Sequence, residues 1–223
     1  ITLGPTSRFE QTVEKTVDGA RFIWISSSLR VTQSFSFIKS KPNGLVDGVA
    51  MEIHVRNDSN SSSNIGVHLL IDTHLGEKQK AHFTTASGEK IRSESGFTSI
   101  MPLYWISPTE SESYKGLQGM VKGEGLTKPD KLIFANWKRL NDKLWNFEVK
   151  SGRNFNLPPY SINDSAVCYF FGPKQLSSGS SLRAKTALGA ARGSTFTIAG
   201  EPGKSSSEKS DEEKSSASSA ETS

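Results

Sequence analysis

Four side chains early in the chain carry the chemistry of a site: Glu52, His54, His68 and Asp72. Two imidazoles and two carboxylates supply neutral nitrogen and anionic oxygen, donors that suit zinc or another divalent cation. His74 and His82 follow close behind. What could bring the four together is strand periodicity. Residues 48–56 set Val49, Met51, Ile53 and Val55 against Ala50, Glu52, His54 and Arg56, and residues 64–75 set Ile65, Val67, Leu69 and Ile71 against Gly66, His68, Leu70 and Asp72. Each reads as a strand with one face in a core. The run NDSNSSSN between them holds turn formers and no apolar residue, so the pair is expected to fold as a β-hairpin. Its aliphatic sides would then face inward together, with Glu52, His54, His68 and Asp72 side by side on the other face. The plainer reading of that face is a hydrogen-bonded, partly solvated surface with no ion.

Two further constellations carry a weaker chemical signal. Asp72-Thr73 and Asp164-Ser165 each end or begin a predicted strand, and two such carboxylates could work as an acid/base pair. As turn residues they would instead accept hydrogen bonds from backbone amides. Among the aromatic residues, Trp24 and Trp137 sit in apolar strands and belong to a core. Tyr104, Trp105, Tyr114 and Trp145 lie in or beside loops, where rings could stack on a sugar or a partner protein. The sequence holds no G-x-S-x-G, CxxC, P-loop or GxGxxG, and no cofactor is implied. The single cysteine, Cys168, stands in an apolar run and reads as a small buried hydrophobe.

Composition bounds the partners. The 223 residues carry a formal charge of +4. From Glu201 onward there are six acids and three lysines, a net −3, which leaves +7 for the body. The basic residues are scattered and do not interleave with aromatics, so no nucleic-acid site is expected. No apolar run approaches the roughly 18 residues of a membrane-spanning helix. The first residue is Ile1, which fits a removed signal peptide. Asn57, Asn60 and Asn163 each begin an N-x-S acceptor pattern of the kind that Asn/Ser turns also produce by chance.

Along the chain, residues 9–15, 21–26, 31–38, 101–106, 117–122, 131–137, 166–171, 182–188 and 195–199 join the two central segments as predicted strands. Residues 21–26 and 166–171 are apolar on both faces and should be covered on both. Gly172-Pro173 should stop the latter, and residues 76–99 should form small rim strands. Only residues 137–145 have helical spacing. Short strands, frequent turn signals and almost no helix predict an all-β protein: a large two-layer antiparallel β-sandwich over residues 1–200. Residues 201–223 contain no Val, Ile, Leu or aromatic and should form a disordered Ser/Lys/Glu-rich tail.

The segments GVHLLIDTHLGE, KLIFANWKRLNDKLW and NDSAVCYFFGPKQLSSGSS together resemble a loose family of bacterial and archaeal extracytoplasmic β-sandwich domains. The shared positions are Gly66-Val67, Leu69–Leu75, Trp137, Asp164–Val167, Pro173 and Gly179. The resemblance spans roughly residues 49–189 and implies a two-sheet sandwich outside the cytoplasm, with no catalytic residue to carry over. Its Lys-rich EKQK after Gly76 departs from the acidic and Asn residues of the pattern. The expectation is a non-catalytic module, periplasmic or extracellular, that binds another envelope protein or a glycan. The alternatives are a carbohydrate-active enzyme using Asp72, Glu52 or His68 in a cleft, and a homo-oligomeric structural component joined through a sheet edge.

Overall fold

The computed structural model describes residues 8–110, 115–192 and 195–198. The expected tail and Tyr114 lie outside the described residues. Thirteen strands follow in chain order: β1 (Glu10–Thr16), β2 (Gly19–Ile25), β3 (Leu29–Ile38), β4 (Gly48–Asn57), β5 (Ser63–Asp72), β6 (Phe83–Thr85), β7 (Lys90–Ile91), β8 (Ser95–Phe97), β9 (Tyr104–Pro108), β10 (Lys115–Met120), β11 (Lys131–Asn136), β12 (Ser165–Leu176) and β13 (Ser181–Arg192). One helix, α1 (Trp137–Lys143), and a 3-10 turn, Leu144–Asn146, stand between β11 and β12. The nine-stranded sheet runs β1-β2-β3-β4-β13-β10-β9-β6-β7 and the four-stranded sheet β5-β12-β11-β8, every pairing antiparallel. The expected all-β sandwich is what the chain forms.

The inner faces of the two sheets share one core. Trp105, Phe83, Phe134, Tyr169 and Phe171 fill its middle, each almost wholly buried. Trp105 Nε1 donates to Tyr169 Oη at 2.7 Å, and Tyr169 Oη donates to Met120 O at 3.0 Å, so both polar tips are satisfied inside. Gly119 is glycine for a visible reason: a Cβ there would stand 2.2 Å from the Trp105 ring.

The periodicity of β4 and β5 places the predicted faces inward. Met51, Ile53 and Val55 on one strand, and Val67, Leu69 and Ile71 on the other, all join the core. The pairing, however, differs from the predicted hairpin. β4 is hydrogen-bonded to β3 and β13, β5 only to β12, and the polar loop between them crosses from one layer to the other. Asn57 fixes that crossing. It is fully buried; its Nδ2 donates to Ser61 O (2.7 Å) and Leu176 O (3.0 Å), and its Oδ1 accepts from Ser59 N (3.1 Å).

Three other expectations are corrected. β2 is covered only in part on its second side: Trp24 is buried on the core face, and Ile23 and Ile25 on the other are half-buried. Gly172-Pro173 does not end β12; a bulge absorbs the pair, with Gly172 at φ +79°, and pairing with β5 resumes at Lys174. Residues 195–198 form no strand. They lie over the outer face of the large sheet, where Phe196 packs on Gly48, Gly189, Met120 and Ala187.

The apolar runs of β11 and β12 are explained by burial on both sides. α1 covers the outer face of the small sheet, closing a second core of Ile133, Ala135, Leu140, Phe147, Ala166, Cys168 and Phe170. Asn136 caps the helix by accepting from Arg139 N at 3.1 Å, and its Nδ2 binds Phe155 O, Ser161 Oγ and Asp164 O. Glu94, with a fully buried carboxylate, holds the next loop. It accepts from Arg153 Nη2 at 2.6 Å and from Lys150 N at 3.1 Å, and stands 3.3 Å from Arg139 Nε.

Candidate functional site

The layer crossing separates the four candidate metal ligands. Glu52 and His54 lie on β4 in the large sheet, where Glu52 takes an ion pair from Arg183 at 2.6 Å. His68 lies on β5 in the small sheet, packed against Phe170 and Trp145 at ring separations of 4.8 and 6.0 Å, its Nε2 buried without a partner. Burial, with Lys131 adding to it, holds the His68 imidazole below the ordinary histidine value. Glu52, His68 and Asp72, the residues a carbohydrate-active enzyme would have used, share no cleft.

Asp72 has different company. It ends β5 opposite Ala166, which brings it near Asp164, the residue just before β12. The turn after β5 adds Glu77. One carboxylate oxygen from each of Asp72, Glu77 and Asp164 lies within 4.8 Å of the others. The pairing of Asp72 with Asp164 was legible as two strand-end carboxylates; Glu77 was not, because it stands in a loop with no periodicity. Hydrogen bonds relieve the crowding. Ser161 Oγ donates to Asp164 at 2.7 Å, Ser165 N to Glu77 at 3.4 Å, and His74 Nδ1 lies 3.0 Å from Glu77. Burial, then the Asp164 charge, pushes the Asp72 carboxyl above its ordinary value. Burial pushes Glu77 up as well, against the pull of the Ser165 amide. Oxygen donors of this kind suit a hard cation or a shared proton.

Beside this corner, His82 Nδ1 lies 2.8 Å from Ser165 Oγ and its Nε2 3.2 Å from Asn163 Oδ1. The order serine–imidazole–amide is that of an activated nucleophile. Ser165 is wholly buried and His82 nearly so, its ring tilted against Phe155 at 4.6 Å, so no substrate reaches the hydroxyl. The three side chains form a satisfied polar plug between the loop and β12.

The aromatic candidates divide similarly. Trp105 is core. Tyr104 packs against the cluster of Met120, Ala187 and Phe196 on the outer face of the large sheet. Trp145 is 38% exposed and lies over Gly66 and His68 as part of the cover on the small sheet. They do not form one platform.

Among the described residues an open concavity lies elsewhere. Beyond the edge of the small sheet, β4, β13 and β10 expose their inner face, and the turn carrying Leu75 closes one side. The resulting cleft holds about 530 Å³. Val49, Leu75, Leu117, Leu188 and Ala190 line it, with Gly48, Gly116 and Gly189 giving a smooth floor. Its polar rim is Asp47, Thr109, Lys115 and Arg192. Asp47 is already engaged, accepting from Ser40 N at 2.7 Å and from Ser40 Oγ. Leu75 is fixed from behind, since its carbonyl accepts from Ser107 Oγ at 2.5 Å. Phe37, cross-strand neighbour of Val49, extends the apolar floor outward and is 62% exposed. Sequence periodicity assigned Val49 to the core; it missed the cleft, because nothing in the sequence says how far the second sheet reaches.

No protein-family model matches the chain, and no curated protein gives a significant match. Among solved structures it is similar to the galactose mutarotase related enzyme from Lactobacillus acidophilus, at 8% identity and a TM-score of 0.43, over 85% of this chain and 72% of that one. No residue role is transferred from it.

Proposed function

We propose that the chain is a non-catalytic binding module of a bacterial envelope or surface structure, and that its cleft takes an extended, aliphatic segment of a partner protein. The observation behind this is the chemistry of the cleft. Its size is that of a ligand site, yet none of the described residues that line it is aromatic, Phe37 only flanking its floor, whereas a sugar-stacking site would need a ring there. Aliphatic side chains and bare backbone form the floor, while Arg192 stands at the rim beside an Asp47 already held by Ser40. Such a cleft suits Leu, Ile or Val side chains flanked by a carboxylate. The extracytoplasmic setting rests on the resemblance carried by residues 49–189.

The test is selection from a random peptide display library, with a glycan array in parallel. Aliphatic peptides with an acidic flank should be enriched, and Ala190→Trp, which fills the cleft, should abolish their binding. Selected peptides that bind Ala190→Trp equally well overturn the assignment. Glycan binding without peptide binding would move the module to the other ligand class.

A further inference from the structure

β1 is a seven-residue edge strand of the large sheet with six exposed residues and no proline or bulge. The other edge of that sheet, β7, has two residues. Long plain edges invite pairing with another chain.

Which backbone groups point outward follows from the register. Thr16 and Gly19 close the β1–β2 hairpin around Val17-Asp18 as a hydrogen-bonded pair, so in antiparallel alternation Glu14, Thr12 and Glu10 also bond to β2. The far side of β2 agrees: Phe37 N donates to Asp18 O at 2.7 Å, so the even positions there turn toward β3. The N–H and C=O groups of Gln11, Val13 and Lys15 therefore face away from the sheet, without strand partners among the described residues.

We infer that β1 pairs with β1 of a second copy, antiparallel and centred on Val13. In that register Val13 faces Val13, Gln11 faces Lys15, Thr12 faces Glu14 and Glu10 faces Thr16. All three outward residues meet outward residues, giving six backbone hydrogen bonds. Shifting by two positions in one direction sets Glu10 against Glu14. Shifting in the other sets Glu14 against Glu14, and either shift leaves an outward residue unmatched. The charges of β1, which on an edge would ordinarily discourage pairing, here select one register. Val13, 56% exposed, then gains an apolar neighbour at the two-fold axis. Two such strands bury less than the area of an ordinary stable interface, so the dimer is concentration-dependent.

Analytical ultracentrifugation across a concentration series tests this. The wild-type sedimentation coefficient should rise toward that of a dimer. Val13→Pro removes only an outward N–H and breaks no β1–β2 bond, so the variant should fold normally and stay monomeric. Val13→Glu, which places carboxylates face to face, should do the same and covers the case in which the proline variant misfolds. Under oxidation Val13→Cys should cross-link, its two Cα atoms standing about 5.5 Å apart. Thr12→Cys, offset from its own copy, should not, and buried Cys168 contributes nothing. A wild type that is monomeric at every concentration overturns the inference. So does a dimer indifferent to Val13→Pro and Val13→Glu, or equal cross-linking through Thr12→Cys. A monomer that captures an unrelated strand at β1 assigns the edge to another partner and overturns self-pairing.

Discussion

Replacing Phe196 with alanine should cost the fold about 3–5 kcal/mol, the range for emptying a phenylalanine site in a packed interior. The ring is 1% exposed and rests on Gly48 and Gly189, where an added Cβ would stand 2.5 and 2.2 Å from its atoms. The backbone of the same residue is clamped. Phe196 N donates to Gln118 Oε1 at 3.0 Å, and Gln118 Nε2 donates to Phe196 O at 2.9 Å. Gln118 is wholly buried, so a strap that loosens also leaves its amide to find water through the cavity. For a domain of this size, about 3–5 kcal/mol corresponds to a fall in Tm of about 6–20 °C. Gly189→Ala should cost nearly as much, because its methyl must evict the ring. Combined with Phe196→Ala, that methyl meets an empty site, so the double variant should be far less destabilised than the sum of the singles. Urea denaturation of wild type, both singles and the double gives the cycle. A Phe196→Ala cost below about 1 kcal/mol, or strict additivity, would refute the described seat of the ring.

Four other outcomes follow from the geometry. Glu94→Ala should cost about 3–5 kcal/mol by urea denaturation, because it strands Arg139 and Arg153 at a buried junction. His68 and His82 are held below the ordinary value of 6.5, so the unfolded chain binds more protons as pH falls past 6.5. Stability present above that pH should therefore be lost on acidification, less steeply in His82→Gln. The acidic corner has the opposite sign: Asp72 and Glu77 are raised above 3.8 and 4.5, so it favours folding most at low pH and loses that advantage as pH rises. Asp72→Asn should accordingly be more stable than wild type at pH 7, with the difference vanishing in acid. Cys168, buried and with its thiol pushed up by burial, should resist thiol reagents until the protein is unfolded, as a titration in denaturant would show.

The strands and their inward faces were legible because alternation is a local signal. Val67 and Ile71 are buried where period two put them. The pairing of β4 and β5 was not legible, because a polar loop reads the same whether it turns back within one sheet or crosses to the other. What distinguishes the two here is Asn57, whose side chain binds Leu176 O across 119 positions of sequence, a contact no local pattern encodes. The misplaced metal quartet follows from that one ambiguity. The bulge at Gly172-Pro173 was hidden for a related reason. Gly172 N donates to Asp130 Oδ2 at 2.6 Å, a partner on another loop, and the positive φ that glycine permits lets the strand resume beyond the proline.

The neighbours of β4 have a consequence for biosynthesis. One of them, β13, lies near the far end of the chain; Glu52 and Arg183, which meet across that seam, are separated by 131 positions. A nascent chain leaving the ribosome must therefore hold the middle of its larger layer open, awaiting a strand not yet made. Assembly of this kind is governed by distant contacts and should be slow. In that interval Ile53 and Val55 are exposed on an unfinished edge, so chaperone dependence should be greatest just before Ser181 is translated.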